Sequence, residues 1–203
     1  MIVAPSDLLH QDLYGLLLNA VAPRPIAWVS TMSAKGQLNL APFSFFNVVC
    51  VDPPLLAFAP GLRAHGEAKD TLRNIRETKE FVVNIVTFAL TEAMNLTSGE
   101  YDASVNEFEL AKLTPQPSQL VRPPRVGESP VSFECRLHQI VDFSPKPTSG
   151  SLVIGEIVCI HLSDAHLKDG KLDRNSLDLI GRMGGIQYTR TTQRFELARP
   201  KIG

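Results

Sequence analysis

Asn39-Leu40-Ala41-Pro42-Phe43-Ser44-Phe45-Phe46-Asn47 is an apolar, aromatic stretch in which two asparagines form the ends, a serine sits inside and a proline interrupts. Proline removes one backbone donor and locks one dihedral, so this is not an ordinary central strand. A purely structural core segment has little use for so many polar groups. A pocket for a flat ligand with a polar rim uses both kinds.

On the N-terminal side, Leu8, Leu9, Leu13, Leu16 and Leu17 recur at roughly helical spacing and predict a short amphipathic helix that Ala22-Pro23-Arg24-Pro25 ends. Residues 26–31 then read as a strand containing Trp28, Ser33-Ala34-Lys35-Gly36 as a turn, and a returning antiparallel strand is expected from Leu38. Beyond Pro42, residues 45–51 and 55–58 read as short strands, 61–68 as a loop, and 71–79 as a helix with Asp70 or Thr71 as its N-cap. A strand over 81–86 and a helix over 90–96 follow, then a proline-rich connection over 114–130. Two long strands, 131–143 and 152–162, flank turn residues 145–150, and Lys168-Asp169-Gly170-Lys171 marks another tight turn. Many short strands, glycine and proline turns and few helices predict a mainly β fold, a β-barrel with helical additions, in one domain spanning 1–203. The near-alternating long strands favour antiparallel pairing. Neither a Gly-x-Gly-x-x-Gly after a strand nor a P-loop is present, which excludes a doubly wound nucleotide fold.

The chain has 203 residues, enough for a sizeable core, and its 44% hydrophobic content is ordinary for a globular protein. A net charge of -1 gives no overall attraction to nucleic acid, so a bound phosphate must be held by local groups. Cys50, Cys135 and Cys159 are odd in number and far apart; they fit neither a disulfide framework nor a zinc pattern and read as buried free thiols in a reducing compartment. Asp7, His10 and Asp12 interrupt any secretory signal, and Asp52-Pro53-Pro54 breaks the most apolar run. A soluble, cytoplasmic protein with no membrane partner is expected.

Three further segments could complete a pocket. Arg24 to Thr31 ends in adjacent hydroxyls at the close of a strand, which with Arg24 and free backbone donors could bind a phosphate. Lys69-Asp70-Thr71 sets a cation and a hydroxyl at a helix N-terminus, where unpaired N–H groups suit an anion. Gly181-Arg182-Met183-Gly184-Gly185, followed by Tyr188, offers close backbone approach, a guanidinium and a ring. Each has a plain structural reading when taken alone. Trp28 is then core with Ser30-Thr31 beginning a turn, Lys69 a solvated lysine on a capped surface helix, and 181–190 a bend with surface arginines.

Taken together, the Arg-Pro-Ile-Ala-Trp-Val-Ser-Thr strand, residues 39–47, Lys69-Asp70-Thr71-Leu72-Arg73-Asn74 and the 181–188 segment resemble the flavin reductase-like family. Glu107-Phe108 and Leu113-Thr114-Pro115 also look like that family's middle region, so the resemblance runs from about Leu13 to Pro200. It implies a six-stranded antiparallel Greek-key split barrel that binds FMN, usually in a homodimer with the flavin near the subunit interface. By position, it implies that Ser30, Thr31, Lys69 and Thr71 hold the flavin phosphate and that Trp28 flanks the flavin. It implies that Asn39, Ala41, Pro42, Ser44, Phe45, Phe46 and Asn47 line the isoalloxazine ring and that Arg182 and Tyr188 close over the cofactor.

FMN is therefore expected ahead of FAD, with NAD(P)H as electron donor. Hydride would pass from nicotinamide C4 to flavin N5, and electrons onward to free flavin, a ferric chelate, oxygen or a partner monooxygenase. The flavin carries that chemistry, which accounts for the lack of a nucleophilic triad. The five histidines show no metal-ligand spacing. His65 reads as a surface residue, with a place facing the nicotinamide as the alternative. Glu100, Asp102 and Glu107 read as surface or helix-capping groups, and Cys50 as buried packing. Two other readings stand beside the enzyme: a flavin-binding module without efficient NAD(P)H turnover, and a structural barrel without flavin.

Overall fold

A computed structural model describes residues 1–63, 66–144, 146 and 149–200. His65 and part of the predicted 145–150 turn lie outside the described residues. In chain order the elements are α1 (His10–Ala20), β1 (Ala27–Met32), β2 (Leu38–Phe43), β3 (Phe46–Val51), β4 (Pro54–Phe58), α2 (Asp70–Thr78) and β5 (Glu80–Ile85). Then come α3 (Thr91–Leu96), α4 (Glu107–Leu110), β6 (Pro115–Gln116), β7 (Arg125–Val126), β8 (Val131–Asp142) and β9 (Ser151–Leu162). Two small hairpins, β10 (Leu167–Lys168) with β11 (Lys171–Leu172) and β12 (Ile180–Arg182) with β13 (Tyr188–Arg190), complete the chain.

One seven-stranded antiparallel sheet, in the order β2-β1-β5-β8-β9-β4-β3, carries the fold. The count is seven where the family resemblance implied six. β2 and β3 occupy opposite edges of this sheet, yet only Ser44 and Phe45 separate them in sequence. Three steps of extended chain reach at most about 11 Å, so the sheet must curl until its edges converge there. No ladder joins β2 to β3 among the described residues, and the barrel is split along that line. Register shifts between Glu134 and Cys135 and between Leu137 and Gln139 mark bulges that bend the long β8–β9 pair.

β1 is buried on both faces, its polar residues Ser30 and Thr31 included. Ala27 and Val29 point into the barrel with Phe43, Phe58, Phe81 and Val153; Leu72 and Ile75 of α2 close that core. Trp28 and Ile26 point the other way, against Leu40, Met94, Phe108 and Val126. Inside the barrel, the Phe81 ring lies over Gly155, where an added Cβ would come within 2.3 Å of the ring.

Pro42 fits because β2 is an edge. The Leu40 amide turns away from β1 and donates to the Glu107 carboxylate at 3.1 Å. Two residues on, Pro42 faces the same open side, where a missing N–H costs the ladder nothing.

Buried polar side chains hold the proline-rich connection against the sheet. Ser30 Oγ donates to the Pro124 carbonyl at 2.5 Å, and Asn84 Oδ1 accepts from the Val126 amide at 2.9 Å. Glu134 accepts from the amides of Gln119 and Leu120 at 2.7 and 2.6 Å. No helix among the described residues is long and apolar enough to cross a membrane.

Candidate functional site

Three adjoining clefts meet at Pro42 and Phe43, on the open side of β2. The first runs toward Lys69 and the start of α2, the second toward Arg24 and Arg182, and the third toward Phe45 and Gly150.

The first cleft is built by a pair of buried amide–hydroxyl bonds. Asn39 on β2 donates Nδ2–H to Thr71 Oγ1 at 3.2 Å, and Asn74 on α2 donates Nδ2–H to Thr31 Oγ1 at 3.0 Å. These bonds hang the first turn of α2 beside the β2 edge. Lys69, in extended conformation, is the N-cap, and no side chain caps the helix. The sequence expectation of Asp70 or Thr71 as N-cap is corrected here. Thr71 is engaged with Asn39, and the Asp70 carboxylate is taken by Arg63 at 2.6 Å and by Arg73. The first-turn N–H groups therefore lack a side-chain partner, and Lys69, Asp70 and Thr71 line the cleft. Helix-end N–H groups, the positive end of the dipole and a flanking lysine favour an anion.

Residues 97–101 and Glu107 form the facing wall, and the sequence reading had not placed them there. A turn of hydroxyls and glycine directly after α3, Thr97-Ser98-Gly99, was the available signal. Gly99 is pressed against Tyr101, whose ring would sit 2.7 Å from an added Cβ. Glu107 is not a surface group. It is buried, and burial pushes its pKa above the ordinary carboxylate range despite the bond from Leu40, with the Asp70 charge adding to the rise. Asp102 does serve as a turn cap, accepting from the Ser104 amide at 2.9 Å.

Several expected contacts are redirected. Trp28 is fully buried and donates Nε1–H to Thr97 Oγ1 at 2.9 Å, so it supports the wall from behind and cannot flank a ligand. Ser30 and Thr31 are also fully buried; adjacent strand residues point to opposite faces, and both hydroxyls are spent inside the protein. Neither hydroxyl is available to a phosphate. Phe46 packs against the barrel core, and Asn47 is exposed with Oδ1 accepting from the Val48 amide at 2.9 Å. Asn39, Ala41, Pro42, Ser44, Phe45, Lys69, Thr71, Arg182 and Tyr188 do line the three clefts.

The thiols divide as well: Cys135 is buried, and burial pushes its pKa well up, while Cys50 and Cys159 are half-buried. Pairing of β8 with β9 brings Glu134, Cys159 and His161 within 4.8 Å of one another, a grouping that residue spacing did not reveal. Burial of Glu134 works against its charge, but the Gln119 amide, the His161 ring and the Leu120 amide outweigh that and hold its pKa low.

A sheet split at the β2–β3 junction, with one cleft at an uncapped helix start and an adjoining one at a pair of arginines, defines a split barrel. The family model for the flavin reductase like domain matches residues 20–176. A protein from Aquifex aeolicus is 44% identical over 179 residues, covering 88% of this chain and 89% of its own. Nitrilotriacetate monooxygenase component B from Bacillus cereus superimposes with a TM-score of 0.91 at 34% identity, covering 97% of this chain and 98% of its own. The 2-nitrobenzoate 2-nitroreductase of Pseudomonas fluorescens gives a TM-score of 0.88 at 35% identity, covering 98% and 96%. The chain belongs to the flavin reductase-like family.

The residues present fit a flavin phosphate at one place in particular, the uncapped start of α2 beside Lys69 and Arg63. The open side of β2 offers a flat wall of Ala41 and Pro42 beside it.

The buried Glu107 makes a pH prediction. Its folded-state pKa is raised, so the folded protein binds more protons than the unfolded chain just above the ordinary carboxylate range, and stability falls as pH rises through that window. Glu107→Gln keeps an acceptor for Leu40 and removes the titration. Urea unfolding at pH 4 to 7 is expected to show the wild type losing stability relative to the variant as pH rises. A constant difference across that range would contradict it.

Proposed function

We propose that the protein is an FMN-dependent NAD(P)H oxidoreductase whose cofactor lies along the open side of β2. The observation that carries this reading is the conjunction of the uncapped, lysine-flanked start of α2 and the Ala41–Pro42 wall in one cleft. In this reading Lys69, Arg63 and the first-turn N–H groups of α2 hold the phosphate. Ala41 and Pro42 supply the flat contact, and Asn39 and Thr71 keep wall and helix in register. On the open side of β2 the Leu40 amide is spent on Glu107 and Pro42 has no N–H, so the backbone there offers carbonyl acceptors to the polar rim of the ring. When bound, FMN supplies the redox chemistry, accepting hydride at N5 from the nicotinamide C4. The protein's part is to hold that face open to one planar donor at a time and to shield it from water. FMN, with one phosphate, matches the one helix N-terminus in this cleft, whereas FAD carries a second phosphate and an adenosine.

A homodimer belongs to the same proposal. β3 is an edge strand, paired on one side only, and it exposes Val48, Val49 and Val51, a surface that soluble proteins cover. A second copy of the chain is the proposed cover. Sedimentation is expected to give about twice the mass of one 22.3 kDa chain, and a monomer would remove this part.

The purified chain is expected to bind FMN, and anaerobic NADH or NADPH to bleach its visible absorbance at a catalytically useful rate. Binding without bleaching would favour a flavin carrier. Lys69→Ala is expected to weaken FMN by roughly 1.5–3 kcal/mol, the size of a well-formed charge-assisted contact, and to leave riboflavin nearly unchanged. Equal weakening of both ligands would remove Lys69 from the phosphate site.

A further inference from the structure

The second cleft holds Arg182 and Tyr188, which the family resemblance expects over the cofactor, and adds a second arginine, Arg24, which that expectation does not include. Arg24 and Arg182 stand directly opposite each other in an antiparallel bridge. The Arg24 amide donates to the Arg182 carbonyl at 2.9 Å, and the Arg182 amide donates back at 2.8 Å. Such a pair sets both side chains on one face, and like charges placed there repel. No carboxylate compensates them: among the described residues neither arginine makes an ion pair.

Both guanidinium groups are nonetheless fixed in place, by neutral groups. Arg24 is buried and donates to the carbonyls of Leu18 at 2.6 Å, Val21 at 2.5 Å and Met183 at 2.9 Å. Burial, and then the Arg182 charge, lower its pKa. Arg182 lies 4.6 Å from the Tyr188 ring centroid and donates to the Tyr188 hydroxyl and the Gly185 carbonyl. The glycines of this segment serve that placement. A Cβ at Gly181 would come within 2.9 Å of Pro23, and one at Gly184 within 1.9 Å of Asn19, so they press the segment onto the end of α1. Two opposed cations, rigidly held and without a carboxylate partner among the described residues, line a cleft that also carries Tyr14, Ser98 and Ser44, whose Oγ accepts from Arg24 Nε at 3.5 Å.

We propose that this cleft is an anion subsite, separate from the Lys69 site, that takes the carboxylate or phosphate group of the second substrate meeting the flavin. It rests on the FMN reading given above. The two sites flank opposite ends of the β2 wall: Asn39 lines the first cleft and Ser44 the second. At about 3.3 Å per strand residue, Asn39 to Phe43 spans about 13 Å, enough to keep the two anions apart. The anionic group can come from the nicotinamide donor or from an acidic electron acceptor.

The test uses the full-length chain loaded with FMN, titrated with benzoate and with neutral benzamide while the flavin spectrum is followed. Benzoate is expected to perturb the spectrum saturably, and benzamide at least tenfold more weakly. Arg182→Gln is expected to lose at least tenfold more affinity for benzoate than for FMN, and Arg182→Lys to recover part of the benzoate affinity. Equal response to benzoate and benzamide, or equal benzoate affinity in wild type and Arg182→Gln, would overturn the subsite. Loss of FMN itself in both Arg182 variants would also overturn it, by making Arg182 part of the flavin site. Should the wild type fail to bind FMN, calorimetric titration of the same chain with benzoate separates the two ideas. Saturable binding lost in Arg182→Gln upholds the subsite while the FMN reading falls, and no binding ends both. The source of the anion is read from the KM values of Arg182→Gln. A rise for NADPH and NADH points to the donor, and a rise for ferric-EDTA but not for benzoquinone points to the acceptor.

Discussion

Two residues, Ser44 and Phe45, join strands that stand at opposite edges of a seven-stranded sheet. So short a link cannot cross a flat sheet, which at about 4.8 Å per strand would be close to 30 Å wide. The sheet therefore curls, the edges converge at Phe43 and Phe46, and the barrel opens along that line. Most of the other features follow from this opening. β2 keeps a free edge, Pro42 is tolerated on it, and the clefts that meet at Pro42 and Phe43 occupy the space that a closed ladder would have filled.

An open edge needs support, and here it comes from polar groups spent inside the protein. Asn39 and Thr71, with Thr31 and Asn74, tie α2 to the edge strand β2 and its neighbour β1. Ser30, Asn84 and Glu134 tie the proline-rich connection to the outer face. Each replaces a water contact with a fixed internal one, modest in net stability but costly to leave unmade when buried. The helix that carries Lys69 is consequently held in one position relative to the wall, without a side-chain cap that would compete with a bound anion.

Local order was legible from the sequence. The strands expected over 26–31, 81–86, 131–143 and 152–162 became β1, β5, β8 and β9 to within a residue or two at each end. The interruption at Pro42 was correctly read as unsuited to a central strand, because the missing N–H is a property of the residue alone. Seven apolar segments were in fact marked, and the count of six came only with the family resemblance. What was not legible was the partner of each polar side chain. Ser30-Thr31 looked like a hydroxyl pair for a phosphate, but strand alternation sends them to opposite faces, where Pro124 and Asn74 wait 94 and 43 residues away. Glu107 looked like a surface helix residue because nothing nearby in sequence reveals that Leu40 offers it an unpaired amide. The Arg24–Arg182 pair likewise exists only through a bridge between distant segments.

The central claim is that FMN occupies the split beside β2 and the start of α2. Hydrogen–deuterium exchange of the full-length chain with and without saturating FMN addresses it directly. The expected result is slower exchange in peptides covering residues 39–47 and in the first turn of α2. Saturating FMN that leaves both segments unchanged, or protects only segments elsewhere, would contradict it.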